Sequence, residues 1–186
     1  MVLTIDIGNT TIGIGGFQGN KLLFIEKISS RRPLSDAGYI EKLNMILNKH
    51  GLSAEAFEGS MISSVVPSVT AVFSSALETF LGRKPLILSH KLDLGYEICT
   101  EFPEKVGCDR LADIAGAISR YSLPFVTIDL GTATTFNVLD ENRRFLGGLI
   151  LPGVGTAHRA LLGKTAQLPK GDIHICLLYT SPSPRD

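Results

Sequence analysis

Residues 4–11 read Thr-Ile-Asp-Ile-Gly-Asn-Thr-Thr, and residues 127–134 read Thr-Ile-Asp-Leu-Gly-Thr-Ala-Thr. Each copy is an apolar run of strand-forming residues that ends in an aspartate, a glycine and hydroxyl side chains. The copies lie too far apart for a solenoid repeat of a few tens of residues. They indicate one strand–turn–strand unit that is used once in each of two halves of the chain.

The residue types at the end of each copy suit phosphate and a cation. Glycine allows close backbone approach, Asn and Thr side chains donate hydrogen bonds, and a carboxylate holds a cation. Asp6 is therefore a candidate Mg²⁺ ligand, directly or through water, and residues 8–10 would approach phosphate oxygens. A tight turn capped by Asp6 and Asn9 would explain the first copy alone. The second copy favours two facing phosphate loops.

A second informative segment, residues 106–110, reads Val-Gly-Cys-Asp-Arg and comes just before a predicted helix. Asp109 is a candidate general base towards an alcohol, and Arg110 is a candidate ligand for a carboxylate or phosphate. The alternative is an N-capping aspartate followed by an exposed arginine. In a chain that also carries two phosphate loops, the segment favours the acceptor side of a kinase.

The composition is that of an ordinary globular protein. Apolar residues make up 44% of the 186 positions, and 18 basic residues balance 18 acidic ones. This balance gives no support to nucleic-acid or anionic-membrane binding, and no apolar run reaches the length of a membrane span. We expect a cytoplasmic protein with no nucleic-acid or membrane partner. The cysteines at 99, 108 and 176 form no Cys-x-x-Cys pair, which favours reduced thiols.

Hydrophobic periodicity predicts two α/β halves. In the first half we expect strands at 2–7, 11–17, 21–28, 61–66 and 85–88, and helices at 36–49 and 68–81. A helix at 109–121 leads to strands at 125–130, 134–139 and 145–150, with a further helix ending near 162. The expected division is 1–120 for the first half with its phosphate loop and substrate motif, 121–171 for the beginning of the second half, and 172–186 for a non-native or disordered tail.

Six segments, taken in order, resemble the type III pantothenate kinases. The resemblance runs from Met1 to about Lys170. The segments that carry it are 6–10, 63–67, 107–110, 129–135, 147–153 and 165–169.

The resemblance implies a fold and an activity. The fold would be two ribonuclease-H-like halves with mixed sheets, as in the actin-like, sugar-kinase and heat-shock ATPase superfamily, with the second half incomplete. The activity would be ATP-dependent phosphorylation of pantothenate, the first step of coenzyme A biosynthesis. The enzyme would use Mg²⁺ with ATP and a monovalent cation, K⁺ or ammonium, and would form a homodimer when full length.

The resemblance also implies roles for particular residues. Asp109 would accept the proton of the primary hydroxyl of pantothenate, Asp129 would bind the monovalent cation, and Asp6 would lie near Mg²⁺. The ATP-binding residues would be Asp6, Ile7, Gly8, Asn9, Thr10, Thr11, Ile12, Gly13 and Thr132. The pantothenate-binding residues would be Gly107, Cys108, Asp109 and Arg110.

The chain departs from the family pattern at two positions. Thr100 stands where the family often has a tyrosine that contacts pantothenate, and Thr11 stands where it commonly has asparagine. Two other functions stay open at this point. One is a non-catalytic regulator similar to the Bvg accessory factor, and the other is a different small-molecule kinase or phosphatase on the same fold. The carboxylates at 6, 109 and 129 favour retained chemistry.

Overall fold

The computed structural model describes residues 1–165 of the chain. The expectations for the tail at 172–186 and for Cys176 lie outside the described residues, as does most of the segment at 165–169. The described strands are β1 (Val2–Ile7), β2 (Thr11–Gln18), β3 (Lys21–Ser29), β4 (Gly59–Ser64), β5 (Leu86–Ile87), β6 (Glu97–Ile98), β7 (Phe125–Leu130), β8 (Ala133–Leu139) and β9 (Arg144–Pro152). The described helices are α1 (Asp36–Lys49), α2 (Pro67–Leu81), α3 (Cys108–Ile118) and α4 (Val154–Lys164).

The first sheet has five strands in the order β3-β2-β1-β4-β5. β1, β2 and β3 form an antiparallel meander, whereas β4 pairs parallel with β1 and β5 pairs parallel with β4. Alternate residues of β1, namely Leu3, Ile5 and Ile7, are fully buried in the core. The intervening residues Thr4 and Asp6 therefore point to the opposite face of the sheet, because side chains alternate along a strand.

Helices α1 and α2 pack against each other on the buried face of this sheet. Ser35 begins α1, since its side chain accepts a hydrogen bond from the backbone N–H of Gly38 at 3.3 Å. The rings of Tyr39 and Phe73 meet with their centroids 4.5 Å apart and join the two helices. Gly82, with φ +67°, ends α2 in the left-handed conformation that glycine adopts without steric cost.

The second sheet repeats the antiparallel meander of the first. Its order is β6-β9-β8-β7, in which β7, β8 and β9 correspond to β1, β2 and β3. Among residues 1–165, no strand pairs with the other edge of β7, the position that β4 takes beside β1. The outward-facing β7 side chains Val126, Ile128 and Leu130 are 54%, 57% and 72% exposed.

Helix α3 joins the two sheets. It packs against β4 of the first sheet and against β7 and β8 of the second. Its Ile114 is fully buried in a small core with Leu139 and Phe145. At its start, Cys108 Sγ contacts the carbonyl oxygen of Leu88 at 3.1 Å, so that the helix is also anchored beside the end of the first sheet.

The sequence predicted most elements to within three residues, and it missed β6. The predicted α/β class with mixed sheets is confirmed. The predicted helix at 109–121 begins one residue earlier and ends three residues earlier, at Ile118. Strand β6 lies within the expected first half, 1–120, yet it pairs with β9 of the second sheet. The boundary at residue 120 itself stays a prediction.

Gly148 on β9 permits a close contact that any larger residue would break. A Cβ atom there would overlap the carbonyl oxygen of Phe136 and would lie 2.9 Å from Arg110 Nη2. We expect Gly148→Ala to lower the free energy of unfolding by about 1–3 kcal/mol, because β8 and β9 must move apart. Urea denaturation followed by circular dichroism measures this change.

Gly116→Ala is the matched control for this substitution. Gly116 lies within α3, and a Cβ atom there would meet nothing within 4 Å. In a helix, alanine is favoured over glycine by about 0.5–1 kcal/mol, so the control is expected to be neutral or stabilising. Equal behaviour of the two variants would contradict the steric argument.

Candidate active site

The two repeated loops face each other across a cleft between the sheets. The loop after β1 is closed by a hydrogen bond from Gly8 N–H to Thr11 O at 3.0 Å, and the loop after β7 is closed by one from Gly131 N–H to Ala133 O at 2.9 Å. The hydroxyl oxygens of Thr10 and Thr132 lie 3.3 Å apart. The duplicated sequence therefore builds two similar turns that touch through their hydroxyl groups.

A cavity of about 330 Å³ opens between these loops. It contains most of the predicted ATP-binding and cation-binding residues together with the predicted base. The predicted residues that line it are Asp6, Gly8, Asn9, Thr10, Thr11, Asp109, Asp129 and Thr132. Ile7 and Ile12 instead point into the core, where both are fully buried, and Gly13 lines an adjoining cavity of about 470 Å³.

Asp109 lies in the first turn of α3, with its carboxylate folded back towards the start of the helix. Its Oδ1 accepts a hydrogen bond from the backbone N–H of Arg110 at 2.8 Å. A Cβ atom at Gly107 would overlap this oxygen, so the carboxylate can take this position only beside a glycine. The segment 107–110 thus directs one carboxylate into the cleft from the start of a helix, where the helix dipole favours negative charge.

Arg110 is held by the second sheet. Its Nε donates to Asn137 Oδ1 at 2.6 Å, and its Nη2 donates to the carbonyl oxygen of Phe136 at 3.1 Å. Asn137 is fully buried and in turn donates to Thr127 Oγ1 at 2.9 Å. The arginine therefore fastens α3 to β8, and only its remaining N–H groups are available to an anion. Its predicted role in substrate binding stays a prediction.

The cleft concentrates negative charge. Asp6 opens into the cavity, but the surrounding protein still removes enough water to raise the pKa of its carboxyl group, and the charges of Asp109 and Asp129 raise it further. The nearby hydroxyl of Ser63 lowers the pKa of Asp6 and so opposes this rise. This hydroxyl is buried, and its distances and angles to other groups in residues 1–165 do not amount to a full hydrogen bond. Burial, followed by the charges of Asp129, Asp109 and Asp6, raises the pKa of Asp113 to about 6.

The donor set fits hard cations. Carboxylate and hydroxyl oxygens are the ligands that Mg²⁺ and K⁺ accept, and Mg²⁺ commonly uses one or two carboxylates, with water and phosphate completing its shell. In the described part of the chain, no group of three or more His, Cys, Asp or Glu side chains lies close enough to hold a metal ion. A cation here would therefore need oxygen atoms from the nucleotide or from water.

Sequence reasoning missed four residues of this region. Asp113 follows Asp109 by one helical turn, so helical spacing was a usable signal. Ser63 and Lys27 come beside Asp6 only through strand register, and Asn137 meets Arg110 only through tertiary packing. Thr100, which replaces the expected tyrosine, lies beside Gly147, and its hydroxyl is buried without a hydrogen-bond partner in residues 1–165.

Two sheets that begin with the same meander, with facing aspartate–glycine loops between them, form the duplicated α/β fold expected of an actin-like ATPase or sugar kinase. A family model described as type III pantothenate kinase matches residues 2–178. The chain belongs to the type III pantothenate kinase family.

Curated relatives of this family resemble the chain over most of its length. A type III pantothenate kinase of Bifidobacterium animalis subsp. lactis is 40% identical over 173 residues, which cover 93% of this chain and 69% of the relative. One of Dictyoglomus turgidum is 37% identical, with coverage of 93% and 68%. The chain thus spans about two thirds of the length of these relatives.

A solved structure from Campylobacter jejuni, described as a Baf family transcriptional activator, has a similar fold. Its TM-score is 0.51 at 17% identity, with 88% of this chain and 60% of that chain covered. This likeness supports the fold and carries no information about activity. Separately, none of the helices in residues 1–165 combines the length and the hydropathy needed to cross a membrane.

The raised pKa of Asp113 predicts a pH-dependent cost to stability. Asp113 holds its proton in the folded state up to a pH of about 6, whereas an ordinary aspartate loses it near 3.8. The contribution of Asp113 to the free energy of unfolding therefore falls as pH rises from about 4 to about 6. We expect Asp113→Asn to raise the free energy of unfolding by about 1–2 kcal/mol at pH 7.5 and by little at pH 4, in a buffer without nucleotide or divalent metal.

Chemical denaturation at both pH values checks this expectation. Glu41→Gln, which removes an exposed carboxylate from α1, serves as the control and is expected to change stability little at either pH. A gain from Asp113→Asn that is as large at pH 4 as at pH 7.5 would contradict a titration effect.

Proposed function

We propose that the protein transfers the γ-phosphoryl group of ATP to the primary hydroxyl of pantothenate, which is the first step of coenzyme A biosynthesis. The observation that carries this proposal is one cavity lined by both phosphate loops and by Asp109. Membership of the type III pantothenate kinase family supports the choice of acceptor.

The two loops bind the triphosphate. Backbone N–H groups and hydroxyls of residues 8–11 and 131–132 supply hydrogen-bond donors to phosphate oxygens, and the glycines allow the backbone to approach closely. The hydroxyl oxygens of Thr10 and Thr132 lie 3.3 Å apart, and either hydroxyl can donate to the other. Phosphate oxygens accept from these solvent-exposed hydroxyls when ATP enters, so each hydroxyl exchanges one hydrogen-bond partner for another.

Asp109 is the general base. Its Oδ1 already accepts the backbone N–H of Arg110, and its other oxygen takes the proton of the acceptor hydroxyl. The hydroxyl oxygen forms a bond to the γ-phosphorus as the bond between that phosphorus and the β–γ bridging oxygen breaks, which releases ADP. Most of the rate enhancement comes from alignment of the two oxygens and from neutralisation of charge.

Two cations complete the site. Asp6 would hold Mg²⁺, through water or directly, and Asp129 would hold K⁺ or ammonium. When bound, these ions offset the negative charge of the phosphates and of the surrounding carboxylates. Burial first, and then the charges of Asp109 and Asp129, raise the pKa of Asp6, and a bound cation would offset both unfavourable effects on its charged form.

The remaining parts of the proposal concern the acceptor and the assembly. Gly107, Cys108 and Arg110 contact pantothenate at the start of α3, where the free N–H groups of Arg110 bind its oxygen atoms. The full-length enzyme works as a homodimer in the cytoplasm, without a nucleic-acid or membrane partner. No observation favours the regulatory alternative, since the likeness to the Campylobacter structure concerns the fold alone.

Removal of the base tests the mechanism. We expect Asp109→Asn to lower kcat by about 100- to 10,000-fold, because the amide cannot accept the hydroxyl proton. The assay measures ATP consumption with pantothenate, in a chain extended by the C-terminal third of the Bifidobacterium relative. Glu104→Gln removes a nearby exposed charge that does not line the cavity, and it is expected to leave kcat within a factor of about two.

Two results would count against the proposal. Full activity of the Asp109→Asn variant would eliminate its role as base while leaving the reaction intact. Turnover of another alcohol by the extended chain, with none of pantothenate, would eliminate the acceptor assignment.

The assignment of Asp129 predicts a specific response to salt. Activity of the wild-type extended chain should rise when KCl replaces NaCl at constant ionic strength. We expect Asp129→Asn to abolish that difference, because an amide oxygen binds a monovalent cation more weakly than a carboxylate does. Rates measured over a series of KCl concentrations check this, and a variant that keeps the full response to K⁺ would place the cation elsewhere.

A further inference from the structure

Lys27 on β3 lies in the same row of the first sheet as Asp6. Asp6 pairs with Gly13 of β2, and Gly13 pairs with Lys27 of β3. On the other side, Asp6 pairs with Ser63 of β4. Residues that are paired across neighbouring strands present their side chains on the same face of a sheet. The row therefore places a lysine, a glycine, an aspartate and a serine side by side on the face that carries the cleft.

Gly13 leaves the space between Lys27 and Asp6 open. A Cβ atom at Gly13 would meet only Asp6, with the Cβ of Asp6 3.8 Å and its carbonyl oxygen 4.0 Å away. Two strand spacings separate Lys27 from Asp6, which is about 10 Å between their Cα atoms. The flexible four-carbon stem of lysine can cross this gap over a glycine, and the charge of Lys27 lowers the pKa of Asp6.

Lys27 is the basic residue of the phosphate cavity. Among the described residues that line this cavity, it alone carries a positive charge, against the carboxylates of Asp6, Asp109 and Asp129. Arg110, the other cation nearby, donates to Asn137 and Phe136 of the second sheet. Within residues 1–165, Lys27 is exposed and has no carboxylate within ion-pair distance.

We propose that Lys27 binds the terminal phosphate of ATP, reaching over Gly13 into the cavity. Lys27 lines the same cavity as Asp6 and as Asp109, the proposed base that receives the acceptor hydroxyl, so the lysine shares the space in which the transferred phosphoryl group would meet the acceptor. Lysine binds phosphate as a compact point charge, which suits a group that changes its charge and position during transfer. This inference rests on the proposed function.

Binding measurements with ATP and ADP test this role in the full chain with Mg²⁺ present. We expect Lys27→Met to weaken ATP binding by about 10- to 100-fold and ADP binding by less than about threefold, because only ATP has the terminal phosphate. Lys27→Arg keeps the charge and should restore ATP affinity to within a few fold. Lys21→Met is the matched control, since Lys21 is an exposed lysine at the other end of β3 and does not line the cavity.

Isothermal titration calorimetry supplies the dissociation constants, and thermal unfolding confirms that each variant is folded. If the wild-type chain binds ATP and Lys27→Met binds it equally well, the proposed role of the lysine is wrong, while the proposed function is unaffected. An equal loss of ATP and ADP affinity overturns the placement at the terminal phosphate. A wild-type chain that binds neither nucleotide overturns the proposed function together with this inference.

Discussion

The position of helix α3 is the constraint on which the two halves of the structure depend. The helix packs against β4 of the first sheet, while its Ile114 completes the small core of the second. Arg110 fixes its rotation, because two of its N–H groups donate to Asn137 and to the Phe136 carbonyl of β8. Loss of these bonds would leave a buried amide unpaired and would free the first turn of α3, which carries Asp109.

Glycines set the distances around this helix. Gly107 makes room for the carboxylate of Asp109, and Gly148 lets β9 approach β8 and Arg110. Gly153 performs a similar task beside the second loop, since a Cβ atom there would overlap the carbonyl oxygen of Gly131. Because these glycines have no Cβ atom, the base and the second loop can both approach the same cavity.

Local patterns predicted the elements and the loops, whereas relations between distant strands needed the structure. The repeat at 4–11 and 127–134 correctly indicated two equivalent turns, because strand end, glycine and hydroxyl residues are all local signals. The two-residue strand β6 has no periodicity of its own and exists only through pairing with β9. Lys27 and Ser63 likewise come into the same row as Asp6 through the pairing of β1, β2, β3 and β4. No local motif predicts which residues of strands tens of residues apart will pair.

The four carboxylates around the cleft give an electrically neutral chain a marked internal separation of charge. The formal net charge of the chain is zero, with 18 residues of each sign, yet Asp6, Asp109, Asp113 and Asp129 lie close enough to act on one another. A bare polyanion that approaches this opening is repelled by the carboxylates at short range, and Lys27 offsets only part of that repulsion. Under the proposed function, this charge distribution would favour a nucleotide that carries its own metal ion over a free nucleotide.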